Sequence, residues 1–463
     1  MAVRFSDDQV IKALGAKRLR IGARASYVSV STDTRQLAPG SLFVALVGER
    51  YDAHDFLPQA AQKGAAGAVV QKGKALPALP NDFALFEVED TLRALGGLAR
   101  FHRLRFQLPV GAITGSNGKT TTKEMAAAIL ATRGPVLKTE GNLNNEVGVP
   151  LTLFGLIPSQ VGAVVEMGMN SPGEIARLTE IAQPDAGLVT VIQPAHLHGL
   201  GSIEGVAAAK GELFFGLRKG AVAVVNVDDP RAVAQAAKSG ARALTFGRAD
   251  SAEVQLVRIE PKGREGMSVA IRYQGEERTI RLGFVGEHNA LNAAGAFALA
   301  IALGWSAEEC VRGLESAKPH QRRLNVLKAS GGVTVLDDCY NANPASMAAA
   351  LQTLAGLSKE GRAVAVLGDM LELGPEEAAE HRVLGKKAAE VAKLLAFFGA
   401  RSAEGHQAAS LGEAAAHFAE VEPLVAWLRE RLRPGDVVLV KGSRGMKLER
   451  VVSALTGQME EGH

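Results

Sequence analysis

The stretch Val110-Gly-Ala-Ile-Thr-Gly-Ser-Asn-Gly-Lys-Thr-Thr121 carries the clearest chemistry in the chain. An apolar strand runs into a glycine-rich turn, and a helix begins at the lysine. Backbone N–H groups of such a turn surround a phosphate, and the helix N-terminus adds positive potential. Gly115 and Gly118 permit the close approach, with Ser116 and Asn117 between them. Lys119 is suited to bridge β- and γ-phosphate oxygens, and Thr120, followed by Thr121, to ligate Mg²⁺. The common pattern G-x-x-x-x-G-K-[ST] needs a glycine where Ile113 stands. The loop here is the shorter T-G-x-x-G-K-T.

Other residue types support a nucleotide site. Glu166 ends the apolar run Ala163-Val-Val165, where a carboxylate is costly unless paired or metal-bound. His196 follows a second apolar strand after a short loop, with His198 as a neighbouring alternative. Both strand ends lie where open parallel sheets bind ligands. Asn289 and Asn292 are spaced i, i+3 and share a helix face. An amide offers a donor and an acceptor together, which suits a purine edge. Two polar residues at a helix start are the plainer alternative.

The elements that must position these residues alternate along the chain. Residues 1–107 read as mixed α/β, with a strand at 41–47, a short helix at 56–63 and a strand at 64–70. Residues 108–318 alternate strands (110–114, 136–138, 162–167, 187–192, 221–227) with helices (119–131, 173–182, 204–217). That pattern predicts a mostly parallel, helix-covered sheet. Polar/apolar alternation over 254–282, with turns at Gly263 and Gly275, predicts antiparallel hairpins. A helix at 288–303 closes the block. Residues 319–463 repeat the α/β alternation, with strands at 333–337, 363–367, 394–398 and 436–440. The fold class is α/β in three domains: a mixed N-terminal domain, a central phosphate-loop domain and a Rossmann-like C-terminal domain.

Composition excludes several classes. The 52 Lys and Arg against 49 Asp and Glu leave a net charge of +3, too balanced for an electrostatic nucleic-acid binder. No run of about 18 uncharged apolar residues exists, so no membrane insertion is expected. The N-terminus lacks an apolar signal core. Only Cys310 and Cys339 occur, so a disulfide framework is excluded and a reducing compartment, the cytoplasm, fits. A monomer is expected.

The T-G-x-x-G-K-T loop resembles that of the Mur ligases, and further motifs extend the resemblance over all three blocks. They are Asp33-Thr-Arg35 with Gly40–Leu46, Gly141-Asn-Leu-Asn-Asn-Glu-Val-Gly-Val-Pro150, Glu166-Met-Gly168, Ala195-His196, Ala209-Lys-Gly-Glu212 and Gly286-Glu-His-Asn-Ala-Leu-Asn292. Two more, Asp337-Asp-Cys-Tyr-Asn-Ala-Asn-Pro344 and Leu367-Gly-Asp-Met-Leu-Glu-Leu-Gly374, resemble the member of the family that takes D-alanyl-D-alanine; Lys441-Gly-Ser-Arg-Gly445 accompanies them.

The resemblance implies ATP-driven amide-bond formation in cell-wall synthesis, through an acyl phosphate. The substrates would be UDP-N-acetylmuramoyl-tripeptide and D-alanyl-D-alanine. It implies that Thr120 and Glu166 serve a Mg²⁺ on the β- and γ-phosphates and His196 a second Mg²⁺. Lys210, otherwise readable as a solvated lysine, would be carbamylated, becoming an anion able to hold Mg²⁺. Lys119, Glu166, His196 and Lys210 would form the catalytic set. Asn289 and Asn292 would meet adenine, Asp338 the ribose and Arg323 the ATP phosphates, with Arg322 as the adjacent alternative. Thr34 and Arg35 would bind uridine or pyrophosphate, near the Glu49-Arg-Tyr51 loop; His54 reads better as a packing residue. Thr139, Asn142, Asn144 and Asn145 would contact the muramoyl peptide or its reacting carboxylate, unless the asparagines merely hold their own loop. Tyr340, Asn341 and Asn343 are candidates for the dipeptide, with Lys441 and Arg444 for its carboxylate. A different amino acceptor, as in a folylpolyglutamate-type ligase, and a non-catalytic ATP-sensing module are the competing readings. Three blocks around one nucleotide site imply domain closure.

Overall fold

A computed structural model describes residues 4–48, 51–194 and 200–458. These residues form three sheets with helices between strands, plus a short ribbon pairing Phe5–Ser6 with Ser26–Tyr27.

In the first block, Leu42–Val44, Gly67–Gln71 and Ala84–Val88 lie side by side and parallel, with Val30–Ser31 outside the first of them. Their near-continuous apolar character reflects burial on both faces. The charged strand Lys17–Arg20 closes the far edge in antiparallel fashion. Charge at an edge discourages further pairing. The strand expected over 41–47 is shorter, because the chain turns back at its end. The Ala53 N–H donates to Leu46 O and Val47 bridges to Asp52.

Helix Thr91–Arg103, N-capped by Asp90, carries this block onto the next. Gly96 sits so close to the second block that an added Cβ would stand 2.7 Å from Ile181 Cδ1. The buried Arg103 donates to Ala182 O at 3.1 Å and pairs with Asp185 at 3.3 Å. One apolar cluster contains Phe5, Leu95 and Leu98 together with Val165, Leu178 and Ile181.

The second block is a nine-stranded sheet. Its fully buried strand Val110–Thr114 lies between Gly162–Glu166 and Ala186–Val189. Val136–Lys138 continues one side; Val222–Asn226, Arg242–Gly247 and Val254–Pro261 continue the other, all parallel. Met267–Tyr273 and Glu276–Leu282 add on as the expected antiparallel hairpins. Helices Lys119–Leu130 and His288–Ala302 cover one face, while Glu174–Ala182 and Ile203–Phe215 cover the other. The chain leaves Val110–Thr114 for one side of the sheet and later crosses to the other. The carboxyl end of that strand is therefore the crevice where such sheets take ligands. The strand expected to reach residue 192 stops at Val189. The Thr190 N–H donates to Thr114 O, and the Ser116 N–H to Val191 O, so these residues meet the phosphate loop.

In the third block the strand order is Asn325–Lys328, Thr334–Asp338, Val437–Lys441, Ala363–Gly368, Leu394–Phe398, Ala415–Phe418. All pairs are parallel except the first. Separate apolar clusters cover its two faces. Among the described residues no helix is long and apolar enough to cross a membrane.

Candidate active site

The phosphate loop has the geometry of an anion cradle. Gly118 caps helix Lys119–Leu130 in the left-handed conformation (φ +82°), and among the described residues no side chain caps the first-turn N–H groups. Helix starts normally find a partner for those donors. Gly115, at φ +146°, lies where a Cβ would stand 1.8 Å from Thr190 Oγ1; at Gly118 it would stand 2.4 Å from Asn292 Oδ1. Only glycine fits either position. The Lys119 ammonium folds back on the loop, donating to Gly115 O at 2.8 Å and Ser116 O at 3.4 Å. Burial lowers its pKa, the Glu166 carboxylate raises it, and Arg323 lowers it again.

Neighbouring strands fix the loop. Ser116 Oγ donates to Gln193 O at 2.8 Å and accepts from the Gln193 N–H at 2.9 Å. Asn117 Nδ2 donates to Gln193 Oε1 at 2.7 Å. Thr190 Oγ1 donates to Asn117 O. Thr190 and Gln193 carry no motif, and only the strand pairing brings them to the loop.

Glu166 ends its strand level with Ile113. It is buried at 3% exposure, and its Oε1 accepts from Asn144 Nδ2 at 2.9 Å. Its Oε2 is buried with no hydrogen-bond partner among the described residues. An ionised oxygen in that state is costly without a cation. Lys210, on helix Ile203–Phe215, is 2% exposed. Its ammonium has no hydrogen-bond or ion-pair partner among the described residues, and burial together with the Lys119 charge pushes its pKa well down. His196 and His198 lie outside the described residues.

Among the described residues no three His, Cys, Asp or Glu side chains converge. Thr120 and Glu166 are the described side chains here that would hold a magnesium ion, whose charge would offset that of the nucleotide phosphates. The orphaned Glu166 oxygen fits that arrangement.

The loop Thr139–Asn145 serves Glu166 from below. Thr139 is fully buried, and its Oγ1 accepts the Glu166 N–H at 2.9 Å. Lys123, also fully buried, donates to Thr139 O at 2.6 Å and lies 3.0 Å from Glu124 Oε1. Sequence reasoning missed Lys123, because an isolated lysine on a helix carries no pattern. Asn145 caps the next helix turn through Val147 and Gly148 N–H groups, and Asn142 is exposed. Of the three asparagines, Asn144 is the one that bonds the Glu166 carboxylate among the described residues, while Thr139 holds the Glu166 backbone.

Asn289 and Asn292 share a helix face and are bonded to one another, Nδ2 to Oδ1, at 2.9 Å. Asn289 also donates to Val285 O at 2.8 Å. From the third block, Arg323 Nη2 reaches to 3.5 Å from Thr120 Oγ1. Asn343 caps helix Pro344–Leu357 and donates through Nδ2 to Asn117 Oδ1 at 2.8 Å. Asn343, expected near the dipeptide, thus meets the phosphate loop. Asp338 accepts from the Leu324 N–H at 3.2 Å and pairs with Lys441 at 2.6 Å, both being buried. Lys441 also donates to Asn341 O at 2.9 Å. Arg444 pairs with Glu449 at 2.7 Å, on the surface.

Thr34 and Arg35 keep their hydrogen bonds within the first block. Thr34 Oγ1 donates to Gln59 Oε1 at 2.7 Å, and the exposed Arg35 grips Asp33 with two nitrogens. His54 is a buried packing residue, as expected: its Nε2 accepts the Gln71 N–H at 2.9 Å.

This geometry agrees with known proteins. The sequence model of the Mur ligase middle domain matches residues 113–300. That of the Mur ligase glutamate ligase domain matches residues 322–444. A UDP-N-acetylmuramoyl-tripeptide–D-alanyl-D-alanine ligase from Bacillus subtilis is 38% identical, with 92% of each chain covered. MurF from Acinetobacter baumannii superposes with a TM-score of 0.90 at 32% identity, over 99% of this chain and 100% of that one. MurF from Thermotoga maritima in complex with ADP superposes at 0.81 and 28% identity, over 92% and 96%. With the phosphate loop, the Glu166 strand end and the arginine of the third block all set around one crevice, the chain belongs to the Mur ligase family.

Proposed function

We propose that this chain is an ATP-dependent ligase that joins D-alanyl-D-alanine to UDP-N-acetylmuramoyl-tripeptide in peptidoglycan precursor synthesis. The observation that carries the chemistry is the uncapped helix start at Gly118, beside Lys119, with the unpartnered Glu166 oxygen facing the same crevice. The names of the relatives carry the choice of substrates.

Residues 1–107 are assigned to the uridine substrate, with Thr34 and Arg35 toward its nucleotide. Residues 108–318 bind ATP, and residues 319–463 bring Arg323 and the dipeptide site. The tripeptide carboxylate attacks the γ-phosphorus; the bond to the bridging oxygen breaks and ADP departs. The dipeptide nitrogen then attacks the acyl carbon. The bond from that carbon to the phosphate oxygen breaks, and the ammonium proton leaves to solvent. Loop N–H groups and Lys119 hold the phosphates, Arg323 meets them from the opposite side, and Asn144 orients Glu166. Bound Mg²⁺ supplies charge neutralisation, letting a carboxylate approach a polyanion. Thr120 and Glu166 are the side chains that would hold one ion and His196 a second, with carbamylated Lys210 as a further metal ligand. Lys210, buried and unpaired, suits carbamylation: its neutral amine adds CO₂, loses a proton and becomes an anion. Both cysteines are free and buried, which accords with a cytoplasmic site of action.

The test is phosphate release by the purified protein. Release requires ATP, the uridine tripeptide and the dipeptide together, and Lys119→Ala lowers it about 10²- to 10³-fold. Oxygen-18 from the tripeptide carboxylate appears in the phosphate. Release indifferent to the dipeptide refutes the substrate assignment.

A further inference from the structure

The turn around Arg323 is held in a conformation it does not favour by itself. Arg322 (φ +61°) and Leu324 (φ +53°) are both left-handed, and neither is glycine. Such residues persist only where their surroundings impose them. Here the surroundings are the end of strand Thr334–Asp338. The Leu324 N–H donates to Asp338 Oδ1 at 3.2 Å, and the Tyr340 N–H donates to Arg322 O at 3.3 Å. Lys441, itself buried, fixes Asp338 from behind at 2.6 Å.

The Arg323 side chain is steered by the same strand end. Its guanidinium carbon lies 4.2 Å over the Tyr340 ring centroid. Its Nη2 is 3.5 Å from Thr120 Oγ1, across the boundary between blocks, and its buried Nε has no hydrogen-bond partner among the described residues. The donors of this guanidinium are thus underused while the group faces the phosphate loop. The Tyr340 hydroxyl makes no hydrogen bond among the described residues.

We propose that Tyr340 is a positioning residue: its ring is the platform that aims Arg323 at the nucleotide's terminal phosphates, and it is not a contact of the dipeptide. The inference rests on the ATP-dependent ligase reading above. It follows that the ring matters and the hydroxyl does not.

The experiment measures affinity for a non-hydrolysable ATP analogue by calorimetry, and KM for D-alanyl-D-alanine by phosphate release. The proteins are wild type, Tyr340→Phe, Tyr340→Leu, Arg323→Ala and the Tyr340→Leu/Arg323→Ala double variant. Tyr340→Phe binds the analogue like wild type. Tyr340→Leu binds it about 3- to 30-fold more weakly, the range for a guanidinium stacked on a ring. In the Arg323→Ala background the leucine has no further effect, because coupled residues are not additive. The dipeptide KM stays within about twofold of wild type throughout, as expected when substitutions do not touch that ligand. Additive losses, or a dipeptide KM that rises in Tyr340→Phe, overturn the inference. A wild-type protein that binds the analogue with this coupling yet makes no ligated product overturns the ligase reading and leaves the platform standing. Equal analogue affinity of Tyr340→Leu and an active wild type does the reverse.

Discussion

Replacing Lys123 by Met tests whether the site is held up from below. The substitution keeps an unbranched stem of similar volume, so packing changes little. What goes is the cation that donates to Thr139 O at 2.6 Å from full burial. A hydrogen bond to a charged group contributes about 1.5–3 kcal/mol. The larger loss of about 3–5 kcal/mol for a broken buried ion pair is not reached, because Glu124 keeps Lys138 at 2.6 Å. At about 2–4 °C per kcal/mol for a unit of this size, the melting temperature falls by about 3–12 °C. Function falls as well. Thr139 Oγ1 accepts the Glu166 N–H, so a relaxed loop loosens the carboxylate. A loss of about 1.4 kcal/mol in the transition state gives about a tenfold drop in kcat. Thermal melts and steady-state phosphate release measure both. A melting temperature within about 1 °C of wild type, with kcat unchanged, would show that the loop stands without Lys123 and refute the argument.

Two further outcomes are expected. In ¹³C-bicarbonate, the wild-type protein gives a carbamate carbon resonance that Lys210→Arg lacks; a spectrum without that resonance refutes the modified lysine. His102 is buried, and burial lowers its pKa from 6.5 to about 4, so the folded state keeps it neutral. The unfolded chain binds that proton first, so this contribution to stability is intact above pH 6.5 and is lost as pH falls toward 4. Melting temperatures across that window decline less steeply for His102→Leu than for wild type, and parallel slopes refute the assignment.

Much of the site was legible because local pattern and chemistry coincide there. A glycine that must adopt positive φ, a lysine at a helix start and an apolar strand leading in are all readable within Val110–Thr121. Glu166 was legible because a carboxylate at the end of a buried strand stands out. Thr190 and Gln193 were not, since their bonds to the loop depend on register between strands far apart in sequence. Lys123 was hidden because burial is not written in a single lysine. The asparagines are hard to tell apart for the same reason: amide groups look alike in sequence, and only the fold decides that Asn145 caps a turn while Asn343 meets Asn117. In the fold, the apolar central strands were visible, whereas the edges Lys17–Arg20 and Asn325–Lys328 lack a buried run to betray them.

The contact through Gly96 and Arg103 has a mechanical consequence. An oily seam with an arginine bolted through it resists sliding, so the first two blocks are packed as one body. The third block meets that body at the phosphate loop through side-chain hydrogen bonds such as Asn343 to Asn117, which water can replace at little cost. Any rocking at this crevice therefore falls to the carboxyl-terminal third, which carries the pinned turn around Arg323 with it.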